Sequence, residues 1–216
     1  MVDKKTSELD ITDSLLPAKL SKGANTRFRI LSSAVSEIAK TGFEGLVLTK
    51  VAKLADVSRS NLLQHFGSRE NLIEQASVFL GRQGRQFTLQ HLKDNTKGKN
   101  RILAYIQATF EWARVRREEA VFLIYLLNRA GYDKSSNYQI QNIFQAARHR
   151  LAMDLLEHAN SRLTSPQAED LALQIHTNLL GYIVQLAPLY QQDNLIELER
   201  QCLDVTKIIL KAHRLI

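Results

Sequence analysis

The chain has 216 residues, 44% of them hydrophobic and 24% charged, enough to bury a core in one large domain or in a small domain fused to a medium one. Its 29 Lys and Arg against 22 Asp and Glu leave a formal net charge of +7, which suits an acidic partner without demanding one. One cysteine, Cys202, excludes an intramolecular disulfide and a thiolate-based metal site, and it fits a reducing, cytoplasmic setting.

The opening stretch MVDKKTSELDITDSLL lacks the apolar centre of a signal peptide. The longest apolar run, AVFLIYLL at 120–127, is far short of the ~18 residues a membrane span needs, so no membrane segment is expected. With only 9 Gly and 3 Pro, and apolar residues spaced by three and four throughout, the chain reads as all-α.

Residues 1–23 mix charges with small polar side chains and read as a flexible N-terminal arm. A first helix is expected from Asn25 as N-cap, with Leu31, Ala34, Val35 and Ile38 on one face and Gly42 at its end. A short second helix comes next over 48–55, then the break DVS, then a third helix over 59–66. Ser68 is suited to cap a fourth helix with Glu70 in its first turn, and Gly81 and Gly84 are expected to weaken its interior and mark a bend.

KDNTKGKN at 93–100 combines Gly, Asn and charge and is the clearest loop beyond the fourth helix. Longer helices are then expected over 101–116, 118–131, 136–163, 166–191 and 194–214. Ser165 is expected as the cap of the fourth of these with Pro166 at its first position, and Pro188 should kink that helix near its end. The 118–131 segment is apolar all round and is expected at the centre of a bundle. The chain divides near residue 70 into three short helices (24–70) and a helical bundle (71–216).

VAKLADVSRSNLL meets the steric needs of a helix-turn-helix. Ala52 and Ala55 are small where a second helix crosses, and Asp56 is among the few residues that tolerate positive φ. Val57 plugs the junction, Ser58 caps the next helix, and Leu62 returns to the core. In such a motif the second helix enters the major groove. Its outward residues here are Arg59, Ser60, Asn61, Gln64 and His65. Arg pairs with guanine O6 and N7, and Asn or Gln with adenine N6 and N7. Lys50, Lys53 and Arg69 flank the helix as phosphate anchors.

TRFRILSSAVSEIAKTGFEG, VAKLADVSRSNLLQHF and GSRENL together resemble the DNA-binding domain of TetR-family transcriptional regulators, over about residues 25–72. The resemblance implies a homodimer on a palindromic double-stranded DNA operator, probed by Arg59, Ser60 and Gln64, with His65 and Arg69 on phosphates. It implies a repressor released by a small-molecule effector held in the C-terminal helices. The sequence departs from the family in three places. Leu63 stands where a Tyr is usual and Asp56 where a Gly is usual, while Val47 and Leu48 replace the Thr or Ser that starts the second helix, leaving Thr49 to supply that contact.

In the C-terminal half, aromatic and embedded polar residues mark a candidate ligand pocket: Tyr105, Gln107, Trp112, Tyr125, Asn128, Phe144, His176 and Tyr182. The scarcity of charge among them points to an apolar or amphipathic effector. The last two long helices keep wide apolar faces, more than a monomer needs, and the resemblance assigns them to the dimer interface. Two alternatives stay open: a constitutive DNA-binding protein without ligand, and a regulator whose C-terminal half senses a protein. An enzyme is not expected. The chain has no Glu-x-x-His pair, no His pair four residues apart and no Gly-rich phosphate loop, and neither a cofactor nor a metal is implied.

Overall fold

The computed structural model describes residues 21–92, 98–159, 162–186 and 192–215. Among them the chain forms helices and no strand, in agreement with the all-α reading. The helices are α1 (Lys22–Thr41), α2 (Leu48–Leu54), α3 (Arg59–Phe66), α4 (Arg69–His91), α5 (Gly98–Val115), α6 (Arg117–Ala130), α7 (Lys134–Ala159), α8 (Ser165–Leu186) and α9 (Gln192–Ala212). Most of the N-terminal arm and Pro188, with its expected kink, lie outside the described residues.

Capping chemistry moves two helix starts. α1 begins at Lys22, because the Ser21 hydroxyl accepts from the Ala24 amide at 3.2 Å; Asn25 lies inside the helix. α8 is capped by Thr164 rather than Ser165. The Thr164 amide donates to the Gln167 side chain at 2.9 Å while the Gln167 amide donates back to the Thr164 hydroxyl at 3.5 Å, a reciprocal capping box. Pro166 therefore occupies the second helical position.

α4 runs without interruption through Gly81 and Gly84, so the expected bend is replaced by close packing. A methyl at Gly81 would stand 2.9 Å from Cγ1 of Ile143 on α7, and one at Gly84 would stand 3.7 Å from Trp112 on α5. The helix approaches its neighbours where it has no side chain.

α1, α2, α3 and the first turns of α4 share one core, in which Ile30, Ala34, Ile38, Val51, Leu62 and Leu72 are wholly buried. Beyond it α7 packs along α8, α8 against α9, and α5 against both α7 and α9. α6 is not at the centre of this bundle. It lies between α1 and α7, with Phe122 and Leu126 wholly buried and the Phe122 ring edge-on to Phe43 at 5.4 Å. A Lys40–Glu118 ion pair at 3.4 Å reinforces the α1–α6 contact. α6 also touches α4 and α5; Tyr125 and Asn128 on it are exposed, the Tyr125 ring passing beside Gly42 at the end of α1.

Candidate nucleic-acid interface

The turn between α2 and α3 is built by its backbone. Asp56 takes φ 52, the left-handed conformation expected of it. The Val57 amide donates to the Ala52 carbonyl at 3.0 Å and the Asp56 amide to the Lys53 carbonyl at 3.2 Å. This pair of bonds closes a helix end around a left-handed residue, so Asp56 fills the place where glycine is usual. Its carboxylate lies 3.6 Å from Arg29, which offsets a negative charge beside the reading surface. Ala52 and Ala55 are buried at the crossing, and Val57 packs on the core.

Ser58 then caps α3, its hydroxyl accepting from the Asn61 amide at 3.0 Å. Leu62 and Phe66 point inward. Arg59, Ser60 and Gln64 are left exposed, and with half-buried Leu63 they line one shallow surface groove. Asn61 and His65 are half-buried at its margins, and the His65 ring lies 6.3 Å from the Phe66 ring. The candidate base-contacting side chains thus share one face of one short, capped helix. Lys53 and Thr49 are exposed on the neighbouring α2.

Three flanking residues differ from their expected roles. Arg69 is turned inward: its guanidinium donates to the carbonyls of Phe43 and Leu46 and stands 3.8 Å from Glu70. It ties the start of α4 to the loop after α1, so several of its donors are occupied within the protein. Lys50 lies 3.7 Å from Glu37, whose carboxylate is buried and has no hydrogen-bond partner on Oε1, so its charge is partly committed to offsetting that burial. Thr49 does not cap α2. Val47 occupies the cap position in an extended conformation without a side-chain bond.

The residue missed by sequence reasoning is Arg27. It donates to the His65 carbonyl at 3.0 Å and to the Gln75 side chain at 3.0 Å, and its guanidinium lies 4.5 Å over the Phe66 ring. Asn71 completes the clamp by donating to the Phe66 carbonyl at 2.7 Å. Arg27 pairs the His65 carbonyl, Asn71 adds to the Ser68 amide on the Phe66 carbonyl, and together they tie the end of α3 to α1 and α4. The available signal was a cation four residues before Leu31 and seven before Ala34, on the buried stripe of α1, where a charge requires partners.

The candidate ligand residues do not form one chamber. Gln107, Tyr125 and Asn128 are exposed because their helices turn those faces away from the bundle. Trp112 is buried and its indole N–H donates to Glu119 at 2.7 Å. Phe144 and His176 meet edge-on at 5.0 Å between α7 and α8, and Tyr182 is half-buried against the core. Burial, reinforced by Arg148 and Arg150, pushes the His176 pKa down to about 4, so its imidazole is neutral near pH 7. Tyr105 is buried in the wall of a cleft of about 130 Å³ between α4, α5 and α7. Asn178 reaches α9 at the Cys202 carbonyl and the Thr206 hydroxyl, each 3.4 Å away, so its partners lie within the protein. The Cys202 thiol is buried and pushed up to about 12, which makes it packing rather than a nucleophile.

Residues 30–76 match the family model described as bacterial regulatory proteins, tetR family. A comparison with curated proteins found no match. The fold is similar to that of a transcriptional regulator from Rhodococcus sp. Rha1, with 19% identity, a TM-score of 0.71 and coverage of 86% of this chain and 96% of that one. It is similar to a TetR transcription regulator from Haloarcula marismortui, with 12% identity, a TM-score of 0.73 and coverage of 87% and 97%. A protein from Saccharomonospora viridis solved in complex with choline shares the fold at 14% identity, a TM-score of 0.72 and coverage of 84% and 95%. The chain thus carries, over residues 30–76, a helix-turn-helix segment that matches the tetR family model, on a fold similar to that of these regulators.

Proposed function

We propose that the protein is an effector-controlled repressor that binds a palindromic operator as a homodimer, with α3 in the major groove. The observation that carries the DNA reading is the exposed face of Arg59, Ser60 and Gln64 on a helix whose end is clamped by Arg27 and Asn71. A clamped helix presents its side chains at a fixed angle, which base readout needs. Lys53 and Lys50 supply phosphate contacts from α2, Lys50 by exchanging Glu37 for a phosphate. Asn61, His65, Ser58 and Thr49 border the same surface and complete the contact set.

The dimer reading rests on α8 and α9. Leu173 and Val184 are exposed three turns apart on α8, while Ile196 and Ile208 are among the most exposed apolar residues of the chain, on α9. Gly181 sits between the α8 pair with open space around it, so a partner helix can approach there. A two-fold pairing of these helices would relate two copies of α3 by the symmetry that a palindromic site requires.

Effector control works as a shift between two dimer arrangements, only one of which spaces the recognition helices for successive major grooves. α4 joins the α1–α3 helices to the bundle as one continuous helix, and α6 touches the end of α1 through Glu118–Lys40 and the loop after it through Phe122–Phe43. The choline bound to a protein of the same fold supports a small-molecule occupant.

A second reading, DNA binding without an effector, draws on the modest size of the 130 Å³ cleft beside the ~300–1,000 Å³ of ordinary ligand pockets. Native mass spectrometry of protein purified from its host separates the two. Effector control requires a co-purifying small molecule, and operator affinity that rises once it is stripped. No added mass, with operator affinity unchanged by stripping, would establish the effector-free reading instead.

A further inference from the structure

The cleft between α4, α5 and α7 carries more positive than negative charge in its walls. Arg101 and Asp154 line it and pair with each other at 2.7 Å, so their charges cancel. Arg150 lines it as well, half-buried, and among the described residues no carboxylate lies within ion-pairing distance of its guanidinium. Its near neighbour is the buried Tyr105 hydroxyl; a second guanidinium, Arg85 on α4, opposes it electrostatically, and Asp154, beyond ion-pairing distance, offsets a smaller part of its charge. Taking Arg150 out of water costs free energy that a neutral phenol does not offset. The surplus cation and the phenolic hydroxyl share the lining of this space with Leu89, Leu92 and Leu151, and Thr88, His149 and Met153 complete it. The cleft thus offers both polar and apolar contacts.

We propose that this cleft binds the acidic headgroup of a small amphiphile, a carboxylate held by Arg150 and Tyr105 with its hydrocarbon part against the leucines. The proposal rests on the effector reading above and sharpens it, since the eight pocket candidates taken from sequence carry little charge and point to an apolar or amphipathic ligand of no particular sign. A guanidinium matches a carboxylate in shape as well as charge, and the tyrosine hydroxyl donates to whichever oxygen the guanidinium leaves exposed. The alternative occupant with the opposite sign, a quaternary ammonium, would need aromatic faces or carboxylates turned inward. Here, among the described residues, the one carboxylate lining the cleft is already paired with Arg101. A cleft of about 130 Å³ holds roughly four waters, at about 30 Å³ each, and so accepts a short chain without rearrangement.

The test compares four six-carbon probes that differ only in headgroup: hexanoate, hexanamide, hexanol and hexylammonium. Thermal stability is read for the full-length wild type and for Arg150→Gln, Arg150→Lys and Tyr105→Phe. Hexanoate alone should raise the melting temperature of the wild type. The shift should vanish in Arg150→Gln, persist in part in Arg150→Lys, and shrink in Tyr105→Phe, a variant that removes one oxygen and keeps the packing. Equal or larger shifts with hexanamide, hexanol or hexylammonium would overturn the anionic headgroup and leave effector control standing. A hexanoate shift retained in Arg150→Gln would overturn the site. No shift with any probe would also overturn this proposal, while effector control itself stands or falls on the co-purified mass.

Discussion

The outward face of α3 and the interior of the helical bundle both hold polar side chains, but they hold them differently. Arg59, Ser60 and Gln64 stand in water, and the structure places its hydrogen bonds on the backbone behind them, through Ser58, Arg27 and Asn71. Arg150 and His176 are withdrawn from water, Arg150 with a protonated phenol beside it and His176 held neutral by its surroundings. A surface reader therefore costs little stability and is sensitive to aim. A buried polar cluster is costly until something of opposite sign arrives, so its cost is a signal of a missing partner. One region leaves its polar groups to solvent, and the other holds them among protein atoms.

The largest expected effect lies in the bundle. Its His176 pKa of about 4 against the ordinary 6.5 means the unfolded chain binds more protons between those values. Stability is complete above about pH 6.5, falls as pH drops toward 4, and in total loses on the order of 3 kcal/mol. Urea unfolding at pH 7.5, 6.0 and 4.5 measures it. His176→Leu should flatten the slope over this window, and an unaltered slope would contradict burial of a neutral imidazole.

Next come the clamps. Arg69→Ala should destabilise the fold by about 2 kcal/mol, the scale of losing hydrogen bonds from a charged donor to half-buried carbonyls. Arg27→Ala should cost a similar amount, because it unpairs the His65 carbonyl and empties the face of Phe66. Chemical denaturation gives both values. For Arg69 the outcome decides between two roles: a phosphate anchor would leave stability intact and lower only DNA affinity.

Smaller effects belong to the reading face. Gln64→Ala should leave stability unchanged and cost about 1–3 kcal/mol of discrimination at one base position. Lys53→Ala should weaken specific and random DNA alike and lower the salt slope by about one ion. Binding isotherms at several salt concentrations separate the two; a Lys53 variant that alters base preference would undo the division between reading and anchoring.

Much of this was legible before the structure. The turn at Asp56, the cap at Ser58 and the inward Leu62 follow from local sterics, which a sequence states directly. So does the end of α1 at Gly42. The roles of Arg69 and Arg27 were not legible, because they depend on partners 23 to 48 positions away, at Leu46, His65 and Gln75. Composition likewise gave no way to tell that α6 would lean on α1, which leaves Tyr125 and Asn128 facing outward. The polar residues of the bundle were visible as a set, but which of them meet protein and which face the cleft depends on helix rotation. Asn178 met α9, while Tyr105 met the cleft, whose lining cation Arg150 the sequence reading had not singled out.

Selection of binding sites from a random pool of DNA duplexes, run in parallel for the wild type and Gln64→Ala, puts the role of α3 to its sharpest test. The expected result is a two-fold symmetric motif for the wild type. The variant should keep the same symmetry and spacing while losing base preference at one position in each half-site. An identical motif from both proteins, or no enrichment by the wild type, would contradict α3 as the surface that reads DNA.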